Sequence, residues 1–159
     1  MSRVARAARV ASKQRAEVLG NGASAGTDKA ISAAETGELY MIDHNHASAL
    51  TITLPPIASG AYFRFQLMTQ LSASGSIVIQ KNAADAAGTV KGTILCIVHA
   101  GSSADTTIAT NKDAGSATKL TLNDDVHVGT YVEIYCDGTN WQFSGVAIAD
   151  GRSRVVFDA

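Results

Sequence analysis

Tyr135-Cys136-Asp137-Gly138-Thr139-Asn140-Trp141-Gln142-Phe143 is the stretch that decides the fold class. Val132, Ile134 and Cys136 lead into it, and Trp141 and Phe143 lead out of it with the same period of two. At that spacing a pleated strand turns every second side chain to one face. Asp137-Gly138-Thr139-Asn140 supplies turn chemistry between the runs, and Gly138 can take a positive φ without steric cost. The stretch predicts a β-hairpin that carries Trp141 and Phe143 into a core. An exposed tryptophan would suggest sugar stacking, but its place in the alternation favours burial.

The same alternation extends outward. Ile52-Thr53-Leu54-Pro55-Pro56 reads as a strand ended by prolines, which cannot donate ladder hydrogen bonds. Ala61-Tyr62-Phe63-Arg64-Phe65-Gln66-Leu67 reads as another. Leu39 and Met41, then Leu50, Ile52 and Leu54, then Phe63, Phe65 and Leu67 are expected to project to one side of successive strands. Further strands are predicted over 76–80, 89–98, 106–110, 118–122, 130–136 and 140–146, with Gly, Asp, Asn or Ser clusters between them. About nine short antiparallel strands make an all-β body, a β-sandwich or jelly roll. No exact internal repeat is visible, so no solenoid is read.

The amino end differs in character. Arg3, Arg6, Arg9, Lys13 and Arg15 face Glu17 alone, in a chain whose formal net charge is −1. The basic charge is thus concentrated ahead of a mildly acidic body, which points to an acidic partner surface or to phosphate. Val4, Ala7, Ala8, Ala11 and Val18 lie at roughly helical spacing among these charges. Gly20 to Gly26 has the small, polar composition of a linker. The predicted division is a basic arm and linker over 1–37, a β body over 38–148, and a tail or edge strand over 149–159.

A length of 159 residues and a hydrophobic fraction of 46% suit one globular domain. Aromatic residues make up only 6%, so a monomer has little bulky material for its interior, and oligomer formation would add buried surface. No run of 18 apolar residues is present, and the chain reads as soluble. Cys96 and Cys136 sit in predicted strands and read as buried free thiols. His44-Asn45-His46 could offer two imidazoles to zinc, but the spacing nominates no third ligand, so polar loop histidines are expected. Asn123-Asp124-Asp125 lacks the ligand pattern of a calcium loop and reads as a solvated turn. With no nucleophile elbow, phosphate-binding glycine loop or paired Cys-x-x-Cys, the sequence predicts neither an enzyme nor a cofactor or metal requirement.

The strand running into Leu54-Pro55, the aromatic strand through Phe63 and Phe65, and the closing Asp137-Gly138-Thr139-Asn140-Trp141 hairpin resemble the small structural proteins of tailed bacteriophages, over roughly residues 38 to 148. The resemblance implies a head decoration, or cement, protein. Such a protein is a virion component, made in the host cytoplasm and bound as a homotrimer to the outer surface of the capsid. Its partner is the major capsid protein, with no specific nucleic acid and no membrane. It stabilises contacts between capsid subunits against packaged DNA. In that setting Arg3, Arg6, Arg9, Lys13 and Arg15 form a capsid-binding arm, with Val18 and Leu19 packing on the partner. The alternative that the resemblance leaves open is a tail or baseplate component with a glycan- or receptor-binding β-sandwich.

Overall fold

The computed structural model describes residues 15–58, 60–86, 89–99, 106–112 and 115–159. Among these the chain is all-β. Its strands are β1 (Ala16–Gly22), β2 (Lys29–Ala30), β3 (Leu39–His44), β4 (Ala49–Thr53), β5 (Tyr62–Leu67), β6 (Ser76–Gln80), β7 (Val90–His99), β8 (Thr106–Lys112), β9 (Lys119–Leu122), β10 (Tyr131–Cys136), β11 (Trp141–Ala149) and β12 (Val155–Asp158). Short 3-10 turns occupy Ala33–Glu35 and Arg152–Arg154. Two mixed sheets form the layers: a seven-stranded one in the order β1-β3-β5-β10-β11-β7-β8 and a five-stranded one in the order β12-β9-β6-β4-β2.

The first six strands alternate between the sheets, and each lies parallel to the strand one turn earlier in its own sheet. The chain therefore winds as a short coil. Ala16 pairs with Leu39 and Leu39 with Arg64, whereas on the other layer Lys29 pairs with Ile52 and Ala49 with Ser76. These turns are of unequal length, which is why the sequence shows no fixed period. From β9 onward the winding reverses. β9 runs antiparallel to β6, β10 to β5, β11 to β10 and β12 to β9, while β7 enters parallel to β11 and carries β8 at the far edge.

Side chains that share a register stack into ladders facing the space between the layers. Leu19, Ile42 and Leu67 form one, and Tyr40, Phe65 and Val132 another. Leu50, Ile77, Leu122 and Val155 line the smaller sheet, beside Ile52, Ile79, Leu120 and Phe157. Tyr40 stacks on Phe65 with centroids 5.2 Å apart, Trp141 tilts against Phe63 at 6.0 Å, and Phe143 meets Phe157 edge-on at 6.0 Å across the layers. Burial of these apolar surfaces is the main favourable term in folding.

Three expectations need correction. First, the strands are not all antiparallel, nor are they nine, because alternating residues define an inner face without fixing the direction of the neighbouring strand. Second, the ordered body begins before Glu38, since Ala16–Gly22 is a sheet strand and Leu19 lies in the core. Gly20, read as part of a linker, instead permits close contact. It has φ +94°, and a Cβ there would lie 2.2 Å from the Asp43 carbonyl oxygen. Third, β3 turns Tyr40, Ile42 and His44 inward and Leu39 and Met41 outward, because its pairing sets Tyr40 beside Phe65 and Ile42 beside Leu67. The segment after Ala149 turns through Arg152–Arg154 into β12, an edge strand of the smaller sheet.

Candidate functional site

At the open end of the coil, β1 and β2 are the edges of their sheets. The inner positions there hold Glu17, in register with Tyr40, and Lys29, in register with Ile52. Charge replaces the apolar ladder. The Lys29 ammonium lies 2.9 and 3.1 Å from the two Glu17 carboxylate oxygens, 2.6 Å from Glu35 Oε1 and 5.8 Å from the Tyr40 ring centroid. Burial alone would lift the Glu35 pKa, but the bonds from Lys29 and the Ser32 backbone outweigh it and hold it down at about 2. Burial likewise opposes the charge on Lys29, and its hydrogen bonds to Glu35 and Glu17 more than reverse this, raising its pKa. Burial, followed by the neighbouring carboxylates, raises the Tyr40 phenol.

Beside this triad lies a recess of about 470 Å³, lined by Glu17, Leu19, Asn21, Asp28 and Lys29 among others. Among the described residues, Glu17, Glu35 and Glu38 could bring three carboxylate oxygens within 4.8 Å of one another. Lys29 already bonds Glu17 and Glu35, and Arg15 approaches Glu38 at 3.7 Å. Each of the three carboxylates thus has a cation beside it, with Lys29 shared between two of them. Inward-pointing charge on an edge strand also opposes the addition of another strand.

The two outer faces differ. On the larger sheet one outward row runs Val18, Met41, Gln66, Tyr131, Val146 and Leu95, and a neighbouring row brings Ile148, Ile97 and Ile108 together. On the smaller sheet the outward rows are Thr51, Val78, Thr121 and Val156, then Thr53, Gln80, Lys119 and Asp158. The larger sheet thus carries an apolar band on its outer face, beside a polar row of Arg64, Glu133, Ser144, Thr93 and Lys112, whereas the outer face of the smaller sheet is mostly polar.

Arg3, Arg6, Arg9 and Lys13 lie outside the described residues. The Arg15 side chain is 81% exposed, and Val18 is 60% exposed on the outer face. Leu19 packs in the core, so it cannot also pack on a partner. Leu54, Phe63, Phe65, Trp141 and Phe143 are all buried, and a buried Trp141 offers no face to a sugar. Gly138 has φ +95° in a turn organised by Asp137, whose Oδ1 accepts from the Thr139 and Asn140 backbone. The Gln142 side chain, then those two backbone N–H groups, hold the Asp137 carboxyl at about 2.

The histidine pair is not a pair of equals. His44 is fully buried, with Nε2 2.8 Å from the Ser48 carbonyl, whereas His46 Nδ1 meets Ser48 Oγ at 2.8 Å. Of the other groups that could join them as ligands, Asp43 accepts from Thr69 and His127 pairs with Asp150 at 2.8 Å. Asp124 and Asp125 are spanned by Arg154, at 2.6 and 3.1 Å, which clamps the start of β12 to the turn. Cys96 and Cys136 are buried and free, and burial raises the Cys96 thiol.

Sequence reading missed the Lys29 triad, whose members become neighbours only through the coil. It also missed the apolar outer face, although Ile94-Leu95-Cys96-Ile97-Val98 carried a signal: a continuous apolar run belongs to a strand covered on both sides. No protein-family model, curated protein or solved structure matches the chain.

Proposed function

We propose that this chain is a capsid decoration, or cement, protein that binds the outside of a phage head as a homotrimer and stabilises contacts between major capsid subunits. Its work is mechanical, and its partners are the major capsid protein and its own copies. The observation that carries this reading is the contrast of surfaces: an apolar band on the outer face of the larger sheet, and a basic segment whose last member, Arg15, stands exposed at the start of the edge strand β1. Both are features for meeting other proteins. The phage resemblance of the Leu54-Pro55 strand, the Phe63/Phe65 strand and the Asp137 hairpin supplies the kind of partner.

The arm that reaches the capsid ends before Ala16, because β1 and Leu19 belong to the body. Exposed ion pairs contribute about 0.2–1 kcal/mol each, so Arg3, Arg6, Arg9, Lys13 and Arg15 act together, and affinity falls with salt. The test is co-sedimentation of the protein with phage heads that lack it, followed by electron microscopy. Binding to the head surface that weakens with salt, and that drops sharply when residues 1–14 are deleted, supports the reading. Absence from heads, or binding at tail tips instead, overturns it.

A further inference from the structure

We infer that the outer face of the seven-stranded sheet is the surface through which copies of this chain meet. The inference rests on the self-association in the proposed function and not on the capsid. Tyr131, Val146 and Leu95 are cross-strand neighbours on β10, β11 and β7, and Ile148, Ile97 and Ile108 are neighbours in the adjoining row on β11, β7 and β8. All six point away from the core. Ile108 is 67% exposed at the sheet's far edge. The other five are half-buried, and apolar side chains left partly open side by side on a sheet mark a protein-interaction surface.

Charge and size argue for a second copy as the occupant. The outward charges of this sheet are nearly balanced, with Arg64, Lys91 and Lys112 against Asp43 and Glu133, and Arg64 already pairs with Glu133 at 3.7 Å. With an excess of only one positive charge, three against two, such a face repels a copy of itself little and offers little to select a strongly charged partner. Seven strands at about 4.8 Å and about six residues at about 3.3 Å give a face of roughly 600 Å². Two such faces bury about 1,200 Å², the lower limit of stable specific interfaces. Pleated faces also interlock well, packing about 10 Å apart as they do inside a sandwich.

The experiment is light scattering coupled to size-exclusion chromatography on the full chain at micromolar concentration, with circular dichroism to verify folding. The test variant is Leu95→Lys with Ile97→Lys. Ile108→Lys, at an exposed edge position, is a second variant that decides the matter should the first misfold. Thr51→Lys with Thr121→Lys, on the opposite outer face, is the control. The expected result is an assembled parent and control, with the face variants dissociating at least about tenfold more readily. A dimer that behaves this way supports the face and removes the trimer from the proposed function, because a face packed on its own copy closes with two-fold symmetry; a trimer overturns this pairing of like faces. A monomeric parent, or an assembly indifferent to both face variants, overturns the inference. Loss of capsid binding by a variant that still assembles would bear on the capsid reading alone.

Discussion

The coil of β1 to β6 and the reversed part from β9 to β12 enclose one interior by opposite means. In the coil each strand crosses to the other layer before the chain returns parallel to its earlier turn. In the later part β10 and β11 are joined by the four-residue Asp137–Asn140 turn, and the neighbours are antiparallel. Both parts alternate apolar and polar residues in the same way. The difference teaches that alternation sets which side chains are inside, while the connection sets the direction of the neighbouring strand. The coil also leaves an open end, where charge is the inner lining, whereas the reversed part packs Trp141 and Phe143 within the body.

If the two parts share one core, truncating either should unfold both. Trp141→Ala is expected to cost about 3–5 kcal/mol and its coil counterpart Ile52→Ala about 2–5 kcal/mol. Urea unfolding followed by both tryptophan fluorescence and far-ultraviolet circular dichroism checks this for Ile52→Ala, which keeps the fluorophore. Coincident transitions are expected, and separate ones would show that the coil folds apart from the rest.

A smaller effect tests the parallel seam between β7 and β11. Gly92 has φ +139°, and a Cβ there would lie 2.0 Å from the Phe143 carbonyl oxygen. Gly92→Val should therefore cost about 2–3 kcal/mol by strain and overpacking, although the position lies on a strand where valine is otherwise favoured. A stability equal to the parent's in urea would refute the seam.

Smaller still is the charge lining. Lys29→Met should cost about 1–2 kcal/mol at neutral pH, since it leaves Glu17 and Glu35 unpaired in a partly buried place. The pH dependence sharpens this. Glu35 titrates at about 2 in the folded chain against an ordinary 4.5, so its contribution is complete above pH 4.5 and is lost as pH falls toward 2. Without Lys29 the remaining carboxylates would favour protonation, and part of the acid destabilisation should disappear between those limits. Denaturant melts of parent and variant across that window measure the difference. The smallest change expected is from Asp137→Ala, an exposed turn residue, which should slightly lower the melting temperature and leave the acid behaviour of the coil end untouched.

Local chemistry made single strands and turns readable in both parts. Asp137-Gly138 marks the turn of the later part, while in the coil Pro55-Pro56 follows the end of β4 and the alternation through Phe63 and Phe65 names the buried set of β5. The coil was hidden because its neighbours are distant in sequence and its turns are uneven. Glycines 20, 22 and 26 look like a tether by composition, yet the first of them is where β1 presses against the backbone of Asp43. Leu39 and Met41 misled because β3 is apolar on both sides, and only the Tyr40–Phe65 register shows which side faces in. The Lys29 triad and the outer face of the larger sheet are products of that same long-range pairing.

The place of β7 has a consequence for the order of events on the ribosome. β7 is held in the larger sheet by β8 and β11, and β11 is made long after it. At about 5–20 residues per second, residues 90–99 exist for roughly 2–10 s before Trp141–Ala149 has been synthesised. During that wait the segment Ile94-Leu95-Cys96-Ile97-Val98 has at most its hairpin partner β8 within its sheet, and the edge that β11 will pair stands open. The nascent chain is thus most prone to aggregate in this interval, and the arrival of β11 is the event that ends it.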